Sequence, residues 1–205
     1  QYVVEADTGM KAYDSLQYFK QMWLIVYTVA YFALFTWIDT RYIRKEKILF
    51  NNLVFNLVIG MIMLTQGLYL LSELRGLYLS YTPGMMYVII RYIALLAFAL
   101  LLWQTYKLLD AEAINFKNNK VRDLVLYGVV LWVVSSEWLH WTELLGATAN
   151  YKLGLSILWV SYGVFMLVKG IHQSKSYMRI ASISVILFTL VKLFFYDIAH
   201  LSTIS

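Results

Sequence analysis

The segment MRIASISVILFTLVKLFFYD, residues 178–197, is long and apolar, yet it holds Lys192 well inside the run. A span of about 20 apolar residues crosses a hydrocarbon core of about 30 Å, so the segment reads as a transmembrane helix. A bare lysine near the bilayer centre costs about 2.5 to 3.5 kcal/mol on insertion scales, so Lys192 should lie near an interface or face protein. Working outward, five more apolar spans precede it: Met22 to Ile38, Leu53 to Leu71, Met86 to Leu109, Leu124 to Trp141 and Leu153 to Ile171, before Met178 to Tyr196. The expected fold is therefore all-α, an integral membrane bundle of six transmembrane helices. No span is interrupted by proline, and Pro83 falls in the turn-like Tyr81-Thr82-Pro83-Gly84, where its missing N–H does no harm.

Composition points the same way. With 61% hydrophobic and only 14% charged residues, the chain cannot be solvated as a soluble domain. The 17 tyrosines and 7 tryptophans suit the two membrane interfaces, where amphipathic rings collect. The absence of cysteine excludes disulfides and thiolate metal sites.

The net charge of +5 has a topological explanation. Eleven Lys and Arg fall in the first, third and fifth connections: Arg41, Arg44, Lys45, Lys47, Lys107, Lys117, Lys120, Arg122, Lys169, Lys175 and Arg179. The other side has four: Lys11, Lys20, Arg75 and Lys152. Positive charge accumulates in the cytoplasm, which puts both termini on the outer, periplasmic side and calls for no nucleic acid. Residues 1–20 are mixed in polarity, without an initiator Met or a signal-peptide pattern. They are read as an outer segment from the middle of a longer protein, a processed N-terminus being the alternative, with 21–205 as one six-helix domain. Leu71-Ser72-Glu73 and Ser135-Ser136-Glu137 are either a faint repeat of a helical hairpin or a chance likeness of two apolar segments.

Two helix faces stand out. Ser182, Val185, Thr189, Lys192 and Tyr196 recur at helical spacing along one stripe of span six, opposite Ile183, Leu187, Leu190 and Phe194. The first stripe, interrupted by Val185, should face protein and the second lipid, a chance arrangement being the alternative. On span five, Ser156, Gly163 and Gly170 form a track of small residues suited to close helix packing, or to a substrate groove.

The remaining ionisable groups gather at the outer ends: Glu73, Arg75, Arg91, Glu137, His140, Glu143, Lys152, Lys192, Asp197 and His200. The plain reading is a network of ion pairs that keeps helix ends in register. Two sharper readings compete. Glu137-x-x-His140 and Asp197-x-x-His200 each put a carboxylate and an imidazole one turn apart, a spacing that can ligate a metal ion. Lys192 and Arg91 could instead neutralise an anionic headgroup during transport. No phosphate-binding loop, dinucleotide fingerprint, nucleophile elbow or HExxH occurs, so no cofactor and no catalytic residue is implied.

One likeness adds to this. The run Ser135-Ser136-Glu137-Trp138-Leu139-His140-Trp141, the stretch from Tyr151 to Trp159, Tyr162-Gly163, Gly170, Arg179 and the ending Lys192-Leu193-Phe194-Phe195-Tyr196-Asp197 with Leu201 resemble the C-terminal region of the predicted bacterial membrane proteins grouped as domain-of-unknown-function family 2339. The resemblance implies a large polytopic protein of the bacterial cytoplasmic (inner) membrane, with more helices than six. It brings no established activity; Glu137, His140, Lys152, Arg179, Lys192 and Asp197 are the positions that match its motif. The reading adopted is a non-enzymatic scaffold or partner subunit of an envelope complex, in contact with membrane lipids and with membrane-protein partners or further helices of the same protein. The alternatives are a transporter or flippase-like module for an envelope or lipid-linked precursor, and a membrane-embedded metalloenzyme using His140 and His200.

Overall fold

A computed structural model describes the backbone of residues 2–43, 45–81, 84–110, 119–146 and 151–197, and their side chains apart from 2–11, 81, 110, 119, 151–152 and 196–197. The helices are α1 (Tyr2–Ile38), α2 (Glu46–Ile62), α3 (Leu68–Tyr81), α4 (Met86–Asp110), α5 (Asn119–Leu144), α6 (Tyr151–His172) and α7 (Ser176–Lys192). Single π-helical turns follow α1 (Asp39–Ile43), join α2 to α3 (Met63–Gly67) and follow α7 (Leu193–Asp197). No strand occurs among the described residues.

Six helical stretches are long and apolar enough to cross a membrane: Ala12–Ile43, Glu46–Ser80, Met86–Leu109, Lys120–Leu144, Leu153–His172 and Ser176–Phe195. They match the six apolar spans but run further into polar flanks, because backbone hydrogen bonds hold a helix whatever its side chains do outside hydrocarbon. The second gains most, starting at Glu46 and continuing through the π turn to Tyr81 at the end of α3, just ahead of Pro83.

The contacts form two compact units, Gln1–Lys117 and Asn118–Ser205. Each holds three of the six stretches. In the first unit α1 packs on α4 and α3, and α2 packs on α4. Met22, Val26, Val29, Ala33 and Thr36 form the buried stripe of α1, and Ile90, Ala94, Ala97, Leu101, Thr105 and Leu108 that of α4, both at spacings of three and four.

The second unit is built on the antiparallel pair α6 and α7, with α5 against α6. Its buried positions are mostly small or polar: Ser156, Gly163, Gly170, Ser182 and Thr189 are buried alongside Met166 and Met178. Lipid tails are as apolar as leucine, so helices in a membrane associate by close packing and hydrogen bonds rather than by burying oil. The α6–α7 turn is short because Ser174 adopts φ 55° and the Lys175 N–H reaches back to the Gly170 carbonyl at 2.9 Å. That pair of features is a Schellman ending of α6.

Candidate functional site

Close approach of α6 to its neighbours is fixed by glycine. A Cβ placed on Gly163 would lie 2.6 Å from Ile186 Cγ1, and one on Gly170 would lie 3.0 Å from Met178 Cβ. Gly154, on the α5 side, would bring a Cβ to 2.5 Å from the Trp138 ring. Any side chain at Gly163 or Gly154 forces its partner to move.

Lys192 meets this track at its first member. Its ammonium donates to Ser156 Oγ at 2.9 Å, joining α7 to α6, and Ser156 is only 1% exposed. Ser182 and Thr189, on the same stripe as Lys192, are fully buried, with hydroxyls that donate back to the carbonyls of Arg179 and Val185. Ile183, Leu187, Leu190 and Phe194 lie exposed on the opposite face.

The α5–α6 contact carries two more polar bonds. Trp159 Nε1 donates to Ser135 Oγ at 2.8 Å, and the Tyr162 hydroxyl donates to the Tyr127 carbonyl at 2.8 Å. Near the start of α5, Asp123 is buried and accepts from Lys175 Nζ at 2.7 Å and from the Tyr177 hydroxyl at 2.6 Å. The Lys175 pKa is held above its usual 10.5, chiefly by its hydrogen bond to Asp123.

The ionisable groups grouped from sequence are divided between the units. Glu73, Arg75 and Arg91 belong to the first, where Arg91 is 1% exposed, Arg75 is buried with its guanidinium donating to Ser72 Oγ at 3.0 Å, and Glu73 is half-buried. Glu137, His140, Glu143 and Lys192 belong to the second. His140 is buried, its ring edge-on to Trp141 at 6.0 Å, and Glu137 and Glu143 are half-buried on the same helix. The side chains of Lys152 and Asp197, and His200 altogether, lie outside the described residues, so the paired Asp197-x-x-His200 motif does too. Among the described residues no three of His, Cys, Asp and Glu converge to hold a metal ion.

Sequence reasoning missed a polar cluster in the first unit. Thr36, Asp39, Asn52 and Asn56 are all buried. Asn52 Nδ2 donates to Asp39 Oδ2 at 2.6 Å. Asn56 Nδ2 donates to Thr36 Oγ1 at 3.0 Å, with Asn56 Oδ1 3.3 Å from the same hydroxyl. The available signal was the helical spacing of Thr36 with Asp39 and of Asn52 with Asn56. It also missed an open-sided apolar furrow of about 480 Å³ between α1 and α4, lined by Ala30, Ala33, Trp37, Ala97 and Leu100 with Gln104.

The whole described chain matches one family model, Predicted membrane protein (DUF2339), over residues 2–205. The chain belongs to this family. The match extends well beyond the last seventy or so residues on which the resemblance rested, and takes in α1 to α4 as well. No curated protein and no solved structure matches the chain. Membership and the six membrane-length helices together make it a polytopic membrane protein.

Proposed function

We propose that this chain is a non-enzymatic scaffold or partner subunit of an envelope complex in the bacterial inner membrane, with both termini on the periplasmic side. The observation that carries this reading is the bond from Lys192 to Ser156 at 2.9 Å, on the small-residue track of α6. A lysine in an apolar span is costly to insert, and here it serves a helix–helix contact. Trp159, Tyr162 and Lys175 are used in the same way. Large apolar side chains remain for outside contact: Trp132, Ile157, Val168, Leu187 and Phe194 are exposed on their helices, on faces fit for lipid, for partner proteins or for further helices of the same protein.

Photo-crosslinking residues placed singly at Trp132, Ile157 and Leu187 of the full chain in its native membrane test the proposal. Discrete protein adducts at one or more of the three helices, absent when irradiation follows detergent extraction, are the expected result. Lipid adducts alone at every position would overturn it, as would vesicle transport of a lipid-linked precursor that disappears in Lys192→Met.

A further inference from the structure

A carboxylate buried in protein must be neutralised, because the effective penalty for burying an ion is several kcal/mol even after relaxation. Asp39 is 0% exposed, and its Oδ2 is met by one neutral donor, the Asn52 amide. Its Oδ1 is buried with no hydrogen-bond partner among the described residues. Arg41, Lys45 and Lys47, nearby in sequence, all have exposed side chains.

The position deepens the deficit. Asp39 opens the π-helical turn at the C-terminal end of α1, where the helix dipole adds partial negative charge. A π turn also disturbs the backbone ladder and frequently marks a functional site. Along this end of α1 and the facing α2, side-chain oxygens are concentrated: Asp39 Oδ1, Thr36 Oγ1 and Asn56 Oδ1.

We infer that the Asp39 cluster is a sodium-binding site. Hard oxygen donors select alkali and alkaline-earth ions over transition metals. A single carboxylate balances a single positive charge, whereas divalent sites normally combine several. The hydrogen bonds lie within two pairs, Asp39 with Asn52 and Thr36 with Asn56, and three side-chain oxygens suit the smaller alkali ion, which takes the fewer ligands, so sodium is favoured over potassium. Carboxylate and amide oxygens bind the ion, and the Asn52 amide, through Oδ2, keeps the carboxylate oriented.

The test uses the full chain, purified without sodium and reconstituted in lipid nanodiscs, with ²²Na⁺ as the probe. One saturable sodium per chain is expected, with competition by unlabelled sodium and not by potassium or choline. The melting midpoint should rise with sodium above the dissociation constant and stay flat in choline at equal ionic strength. Asp39→Asn should abolish binding and Asn56→Ala weaken it about tenfold or more. Asp123→Asn, which alters the buried carboxylate of the second unit, should leave it intact. Absence of saturable binding to the wild-type chain overturns the inference, and this holds even if Asp39→Asn fails to fold. Equal binding by Asp39→Asn, equal competition by potassium, or proton uptake at Asp39 without any sodium dependence would overturn it as well.

Discussion

Lys192 Nζ and Ser156 Oγ, 36 residues apart in the chain, lie 2.9 Å from each other across the α6–α7 contact. Hydrogen bonds between membrane helices contribute about 0.6 kcal/mol on average and up to about 1.7 kcal/mol. A double-mutant cycle on Lys192→Met and Ser156→Ala, read by unfolding in bicelles, should return a coupling in that range. A coupling indistinguishable from zero would remove the observation on which the scaffold reading rests.

Gly163 and Gly128 should respond oppositely to a larger residue. Gly163→Val drives a side chain into Ile186 and should cost about 1 to 3 kcal/mol, separating α6 from α7. Nothing lies within 4 Å of a Cβ at Gly128, so Gly128→Ala should stabilise α5 by about 0.5 to 1 kcal/mol through helix propensity. Melting midpoints of the two variants check the contrast.

The Lys175–Asp123 pair predicts alkaline loss of stability. Because the folded pKa of Lys175 is raised above its ordinary 10.5, its contribution is full below that value and is lost as pH rises through the folded one. The Lys175 side chain is 37% exposed, so the effect is small. The stability gap between wild type and Lys175→Met should be constant near neutral pH and close in strong alkali; a gap that widens there contradicts the assignment.

Asn52 should be harder to replace alone than together with its partner. Asn52→Leu strips Asp39 Oδ2 of its donor, and losing a hydrogen bond to a charged group costs about 1.5 to 3 kcal/mol. Asp39→Leu combined with Asn52→Leu leaves no buried charge and should be milder than Asn52→Leu alone. Chemical unfolding of the three chains gives the ordering.

The six helices were legible because apolar length is a local property that any window of sequence reports. The opposed faces of α7 were legible for the same reason, since residues 182 to 194 set their own spacing. The Asp39 cluster was not, because its bonds join positions 13 and 20 residues apart on helices whose adjacency no spacing reveals. Asp123 was hidden differently: it stands beside Lys120 and Arg122 in sequence, while its buried bonds come from Lys175 and Tyr177, 52 and 54 residues away. The ionisable groups of the outer ends, grouped in sequence by topology, belong partly to the first unit and partly to the second.

The division at Lys117 and Asn118 has a consequence for orientation. Three crossings are an odd number, so the chain quits each unit on the membrane face opposite to the one by which it entered. A compartment-sensitive reporter joined after Lys117 and another joined after Ser205 should therefore glow on opposite sides. Parity fixes that result, whichever side proves to be the cytoplasm.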